Sequence, residues 1–399
     1  MKTKRPAAWK ESLKSQNWKV LLILVAATWL ICAPVYYHQI AFPNDTDYSQ
    51  HVAYAQQFAN GEGLNSYMLA HPVLHLILAA MHLASGRLLG VYASLMVLQV
   101  LVQICTVLIL YFWIGPADRK GWDWLRAGAA LTLTLVAPVM LLAFQDGLFY
   151  FGYIGLANYH NPTIHLLKPF ALMSFFYGIR CIAGEKTSWK GILLAALLTV
   201  LSATIKPNYA MSILPALALA AGVRWLQRRR VDWKLLAFGF FLPGLLSLAA
   251  QWLIAFFFNN TGEHILFAPF MVAAAHSQNL ILKFLLSALF PILALLVIRR
   301  GLWEKPGILL GWAGFLAGAA QYYLLSESGE RWWHSNFAWS SEIMLLLLFA
   351  VTVRWLLREK VLAGGMRAWE KIAVYGAYLA HLVAGIAYYA YCMMTLHFK

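Results

Sequence analysis

The stretch VLLILVAATWLICAPVYY, at residues 20–37, contains no charged side chain in 18 positions. A helix needs about 20 apolar residues to cross the hydrocarbon core of a bilayer, so this run is typical of a transmembrane helix. Similar runs recur along the chain, which is 61% hydrophobic and only 12% charged. A soluble domain carries about a quarter charged residues. The sequence therefore predicts an all-α polytopic membrane protein.

The apolar runs predict about eleven transmembrane helices, with ten to twelve as the range, in one membrane domain over residues 1–399 without a separate soluble domain. Residues 71–85 are too short to cross alone, and we expect them to form a re-entrant or interfacial helix. The expected spans lie near residues 20–37, 88–114, 126–144, 162–180, 190–205, 209–224, 235–258, 280–298, 307–325, 340–355 and 372–396.

The distribution of charge predicts the orientation of the chain. Its net charge of +15 comes from short basic clusters between apolar runs, a pattern that argues for topology and against nucleic-acid binding. The segments predicted to face the cytoplasm hold 25 of the 31 Lys and Arg residues, whereas the opposite loops hold two, Lys206 and Arg331. Because cytoplasmic loops are enriched in basic residues, we expect a cytoplasmic N-terminus and an active site that opens outward.

The first outer loop, residues 38–70, has no Lys or Arg and contains two carboxylates two residues apart, Asp45 and Asp47. Such a pair can coordinate a divalent cation, or one member can accept a proton from an attacking hydroxyl. Asp47 could instead cap a short helix over residues 47–58, which Gly61 would help to end. That alternative favours Asp45 as the base.

The stretch NYHNPTIHLLKP, residues 158–169, predicts a helix with Asn161 as N-cap and Pro162 in its first turn. His165 and Lys168 would then lie one turn apart on one face. A helix N-terminus beside a lysine and histidines suits an anionic group such as phosphate. Alternatively, Lys168 snorkels to the interface.

Two further polar stretches lie on the predicted outer side. Lys206 stands in a short turn between spans, where it could reach a lipid phosphate or serve only as a turn residue. The stretch ERWWHSN, residues 330–336, mixes hydrogen-bonding side chains with aromatic ones. Aromatic residues at an interface usually form a belt, but this combination is also typical of sugar sites.

This layout resembles the GT-C superfamily of integral-membrane glycosyltransferases. The resemblance is carried by Asn44-Asp45-Thr46-Asp47-Tyr48 directly after the first span, by His71-Pro72-Val73-Leu74, and by about a dozen apolar segments. The stretches at residues 159–163, 206–207 and 331–337 are similar to motifs of bacterial members. The chain departs from the pattern where a Pro-Pro pair is expected, since it has His71-Pro72-Val73 there.

The resemblance implies transfer of a sugar from a polyprenyl-phosphate-linked donor to a glycan, lipid or protein acceptor at the outer face of a bacterial inner membrane. It implies that Asp45 or Asp47 acts as general base or binds a divalent cation such as Mg or Mn. We expect the donor phosphate to be bound by Lys206, Arg331, Lys168 and His160. We expect substrate contacts from His51, His71, Asn161, His165, Glu330, His334 and Asn336.

Two other functions stay open at this point: a polymerase or ligase of polyprenyl-linked glycans, and a membrane transporter. Polymerases and ligases usually place their large outer loop late in the chain, whereas here the longest outer loop is the first. A transporter predicts matching halves and ionisable residues near the bilayer midplane. No internal repeat is evident, and the ionisable residues cluster toward one face.

Overall fold

The computed structural model is 77% helical with almost no strand, and this confirms the all-α class. It describes residues 17–42, 46–62, 69–115, 122–257, 263–298, 301–361 and 366–395. Over these ranges six helices are long and apolar enough to cross a membrane, and a bent pair brings the number to seven. The other predicted spans contain helices that are shorter or less apolar, so the number eleven stays a prediction.

The helices follow one another in chain order, with two short strands between them. Strand β1 (Ile265–Phe267) pairs antiparallel with β2 (Leu325–Glu327), with Leu266 opposite Ser326. The helices are α1 Trp18–Ala41, α2 Tyr48–Asn60, α3 Val73–Ala84, α4 Val91–Ile114, α5 Asp123–Thr132, α6 Ala143–Asp146, α7 Pro162–Ile182, α8 Trp189–Ile205, α9 Asn208–Leu226, α10 Leu235–Phe257, α11 Met271–His276, α12 Leu280–Ser287, α13 Leu289–Ile298, α14 Pro306–Leu324, α15 Ala338–Trp355 and α16 Ala368–Met394, with 3₁₀ turns at Leu302–Glu304 and Gly329–His334.

Two predicted spans are not continuous helices. The span expected over residues 126–144 is helical only to Thr132, because the following backbone bonds to other helices: the Ala137 N–H donates to the His381 carbonyl (3.1 Å) and the Val139 N–H to the Leu286 carbonyl (3.2 Å). Such external partners make irregular backbone tolerable inside a membrane protein. The span expected over 280–298 is α12 and α13, bent by 61°.

Helix α3 has the length expected for residues 71–85. Its 12 residues rise about 18 Å, well short of the ~30 Å hydrocarbon core, so α3 cannot cross a bilayer alone.

Helix α15 lies at the centre of the bundle, and 16 of its 18 residues are buried. It packs closely on α14 because glycines at positions 307, 311, 314 and 318 of α14 present no side chain to Val351, Leu348, Met344 and Ser340. A Cβ at Gly318 would lie 2.6 Å from the Ser340 carbonyl oxygen. Small residues of this kind let two membrane helices approach closely.

The two ends of the bundle differ in chemistry. At one end, arginines hydrogen-bond the last carbonyls of neighbouring helices: Arg358 bonds Ile114 and Gly115, and Arg224 bonds Ile182. Cationic groups suit these helix C-termini. At the other end, the first turns of α7, α9 and α15 meet, and Asn208 donates to the Asn336 carbonyl (2.9 Å). The acidic loop is held at this second end.

Gly318→Ala should lower the free energy of unfolding in detergent by about 1–3 kcal/mol, because the added methyl group meets backbone rather than a movable side chain. The matched control is Gly376→Ala in α16, where an added Cβ has no neighbour within 4 Å. The control should gain up to about 1 kcal/mol from helix propensity. Equal stability of the two variants would show that the α14–α15 contact is looser than described.

Candidate functional site

Asp47 stands at the N-cap of α2, but its carboxylate does not cap the helix. Its φ and ψ are −79° and −4°, and its side chain makes no capping hydrogen bond. The expectation that Asp47 caps this helix is therefore wrong, and the argument that favoured Asp45 as the base disappears with it. The helix ends as predicted, at Gly61 with a positive φ of 72°. Asp45 lies outside the described residues.

The carboxylate of Asp47 instead accepts a hydrogen bond from the side-chain amide of Asn161. The backbone N–H of Asp47 also donates to the carbonyl of His160 (3.0 Å), so the acidic loop is fixed to the segment before α7 at two points. Asn161 is the N-cap of α7, as predicted: its Oδ1 accepts from the N–H groups of Thr163 (3.1 Å) and Ile164 (3.0 Å). Pro162 occupies the first turn.

Lys206 reaches the same place from the turn between α8 and α9. Its Nζ donates to Thr163 Oγ1 (3.1 Å) and lies 4.5 Å from the ring centre of Trp339. Thr163 Oγ1 in turn donates to Asn161 Oδ1 (2.6 Å). Three hydrogen bonds, through Asn161 and Thr163, therefore connect Asp47 with Lys206. An acid and a cation predicted to share a site are thus connected by hydrogen bonds and interact electrostatically.

Burial shifts the pKa of each of these groups toward its neutral form. Burial raises the pKa of Asp47, while the charge of Lys206 and the hydrogen bond from Asn161 oppose that rise. Burial lowers the pKa of Lys206 to about 8, opposed by the negative charges of Asp47 and Glu342. Burial, and secondarily Lys206, lowers the pKa of His160 to about 3, so His160 is neutral at pH 7.

Histidines of the first loop and of α3 form a neutral group beside Lys206. His51 Nδ1 lies 2.8 Å from Nε2 of His75, and the two rings stack. Burial lowers the pKa of His71 to about 3, with Lys206 as the next cause. His51 and His71 were predicted as substrate contacts, and the structure adds the buried His75 to them.

His165 and Lys168 lie deeper in α7 and are almost fully buried. His165 Nδ1 lies 3.1 Å from the Tyr36 hydroxyl, and Lys168 Nζ lies 3.5 Å from the Leu156 carbonyl. The structure thus places these two predicted ligands behind the first turn of α7, while Asn161 and His160 are at its end.

The predicted stretch at residues 330–336, between β2 and α15, borders the site. Arg331 Nε lies 3.5 Å from the carboxylate of Glu327, which also accepts from Asn336 Nδ2 (2.7 Å). His334 is exposed but interacts electrostatically with Asp47. Glu330 is exposed on the same 3₁₀ turn. Arg331 and His334 therefore lie at the edge of the site around Asp47, and Glu330 is exposed to solvent.

Sequence reasoning missed the buried acid Glu342, which accepts hydrogen bonds from the Tyr150 hydroxyl and from Asn158 Nδ2 (3.3 Å). A signal for it existed, because Glu342 is an acidic residue inside a predicted span, and ionisable residues in spans are functional candidates by default. It also missed the contact of Trp339 with Lys206.

The metal hypothesis finds no donor set among the described residues. No group of three or more His, Cys, Asp or Glu side chains is placed there to hold an ion. Asp47 is the one predicted metal ligand within the described chain, and Asn161 donates to one of its carboxylate oxygens.

Comparisons of this chain with protein-family models, curated proteins and solved structures find no match.

Asn161→Ala should lower the free energy of unfolding by about 1–2 kcal/mol, because the first turn of α7 loses its cap. Asn161→Ser keeps a capping acceptor and removes only the amide that donates to Asp47, so its loss should be clearly smaller. Asn60→Ala, at the exposed end of α2, is the control. A loss for Asn161→Ala no larger than for Asn60→Ala would contradict the capping role.

Proposed function

We propose that this chain is a membrane glycosyltransferase that moves a sugar from a polyprenyl-phosphate donor to a hydroxyl of a glycan, lipid or protein acceptor. In this proposal Asp47 is the general base, and Lys206 binds the donor phosphate. The GT-C-like arrangement of about eleven spans, the bacterial inner membrane and the outward direction of the site belong to the same proposal.

The observation that carries the proposal is the link from Asp47 through Asn161 and Thr163 to Lys206. Glycosyl transfer from a phosphate needs a base for the nucleophile and a cation for the departing phosphate. The chain supplies one of each at the meeting point of three helices. Neutral histidines and Trp339 surround the pair and supply ring faces and hydrogen-bonding groups for a sugar.

An apolar groove lined by sequence neighbours of His71 and Lys206 suits the donor's lipid. Its volume is about 450 Å³, and it lies between the start of α3, helix α8 and helix α10. Its lining includes Ala70 and Pro72, which flank His71, and Thr204, two residues before Lys206. Gln251 of α10 connects the three walls, because its side-chain amide donates to the carbonyls of Ala70 (3.0 Å) and Ala203 (2.7 Å). A polyprenyl chain in the groove would bring its phosphate to Lys206.

The proposed step is a displacement at the anomeric carbon of the donor. The acceptor oxygen forms the new bond to that carbon, and its proton passes to the carboxylate of Asp47. The bond from the anomeric carbon to the phosphate oxygen breaks, and its electron pair stays on the phosphate. Lys206 stabilises the negative charge that develops on the phosphate as this bond breaks. Burial raises the pKa of Asp47, which makes it a better proton acceptor than an exposed aspartate.

Asp47→Asn should reduce transfer by about 10²–10⁴-fold, because the amide cannot accept the acceptor's proton. The assay uses full-length protein in proteoliposomes, radiolabelled polyprenyl-phosphoglucose and polyprenyl-phosphomannose, and a membrane extract as acceptor. Binding of unlabelled polyprenyl phosphate should be retained in this variant. Asp232→Asn, on the arginine-rich end, is the control. Transfer by Asp47→Asn at the wild-type rate would refute the role of Asp47.

The pH profile of transfer should report Lys206. With a pKa of about 8, Lys206 is charged below pH 8 and loses its proton above it, so activity should fall with a midpoint near pH 8. Arginine stays protonated throughout this range. Lys206→Arg should therefore remove the alkaline fall, even if its maximal rate is lower. The same alkaline fall in the arginine variant would exclude Lys206 as its origin.

A further inference from the structure

Glu342 lies in the first turns of α15, the most buried helix of the bundle, with 3% of its surface exposed. A carboxylate in such a place is costly unless it is hydrogen-bonded and paired with a positive charge. Its hydrogen-bond donors are the Tyr150 hydroxyl and Asn158 Nδ2. Both come from the irregular segment that precedes α7.

The hydrogen bonds of Glu342 continue to the proposed base. Asn158 also donates to the Tyr150 hydroxyl (3.1 Å), and its Oδ1 accepts from the backbone N–H of Asn161 (3.3 Å). Asn161 then donates to Asp47. The two carboxylates, which are far apart in the sequence, are thus joined through two asparagines. The position of Asn161 depends on Asn158, which is held against α15 by Glu342.

The negative charge of Glu342 also faces the lysines of the site. Lys206 lies over Trp339, which is one turn before Glu342 on the same face of α15. Lys168 and Lys206 both interact electrostatically with Glu342. Among the described residues, Lys206 also interacts with Asp47, His51, His71 and His160. The three histidines have lowered pKa values and are neutral at pH 7, so within the described part of the chain Asp47 and Glu342 are the acids that support the charge of Lys206.

We propose that Glu342 is a positioning residue of this site with two separable effects: it holds the Asn158–Asn161 segment that orients Asp47, and it keeps Lys206 protonated before a phosphate binds. The inference rests on the proposed function, because it assigns a role in the same site. It differs from an ordinary buried structural acid in requiring the charge of Glu342 as well as its hydrogen bonds.

The charge effect is tested with Glu342→Gln, which keeps an acceptor for Tyr150 and removes the negative charge. The alkaline midpoint of transfer should move about one pH unit lower, since an adjacent opposite charge shifts a pKa by about 1–3 units. Glu342→Asp retains the charge and should keep the wild-type midpoint at a lower rate. In the Lys206→Arg background, where the alkaline fall is expected to be absent, Glu342→Gln should not produce one.

The holding effect is tested separately with Asn158→Ala, which breaks the connection to Asn161 and leaves both carboxylates charged. Its kcat should fall by about tenfold across the pH range, the loss expected when a catalytic group is misplaced slightly. Its alkaline midpoint should stay at the wild-type value. A shifted midpoint in Asn158→Ala, or an unchanged rate, would overturn the division into two effects.

A second readout does not depend on transfer. Competitive acetylation of Lys206 by acetic anhydride, followed by mass spectrometry of the full-length protein in nanodiscs, gives its titration midpoint directly. Glu342→Gln should lower that midpoint. The matched control is Glu370→Gln, which neutralises another buried glutamate, at the start of α16, and should leave it unchanged.

The outcomes separate the two proposals. Absence of transfer by the wild-type protein would refute the glycosyltransferase. If Glu342→Gln still lowered the titration midpoint of Lys206, the role of Glu342 would be supported. Normal transfer with an unchanged midpoint in Glu342→Gln would refute the role of Glu342 and leave the glycosyltransferase standing. An equal midpoint shift in Glu370→Gln would show a general charge effect and would also overturn the inference.

Discussion

The side-chain amide of Asn161 is the contact on which the candidate site depends. An amide offers an acceptor and a donor on one rigid plane. The acceptor, Oδ1, is used by the first turn of α7 and by the Thr163 hydroxyl, and the donor, Nδ2, is used by Asp47. The direction of α7 therefore fixes the direction of the carboxylate. Asp47 is therefore held in place by the first turn of α7, although it precedes that helix by more than a hundred residues in the sequence.

The surrounding interior explains why these contacts are so closely coupled. Water is scarce among packed membrane helices, so each buried charge must find its partner within the protein. Lys283 illustrates the rule outside the site: it is fully buried and pairs with Asp146 (2.6 Å), Ser277 Oγ (2.7 Å) and the Phe151 carbonyl (3.1 Å). That pair anchors the segment that carries Tyr150. The hydrogen-bond partner of Glu342 thus lies in a segment that is itself held by the ion pair of a buried lysine.

Local features of the site could be predicted from the sequence, and long-range ones could not. Asn161 with Pro162 marks a helix start through contacts two or three residues apart, and Gly61 marks a helix end by its own backbone freedom. The partner of Asp47 is set by how α2 lies against α7, which no periodicity encodes. The same limit explains residues 133–142, where an apolar run looks helical but its backbone bonds to α12 and α16. The sequence shows that Glu342 is an acidic residue in a predicted span. Its hydrogen-bond partners, which suggest its role, are visible only in the structure.

Packing at the centre of the bundle and chemistry at its end are connected through α15. The glycines of α14 allow α15 to approach so closely that Ser340 lies against Gly318. Trp339 and Glu342 come directly before Ser340 and two residues after it in the sequence, and they contact Lys206 and Asn158, respectively. A small shift of α15 would therefore change the partner of the cation and the support of Asn161 together. Because close-packed interiors have low compressibility and transmit strain, the relative placement of Asp47 and Lys206 depends on a helix contact that neither residue makes.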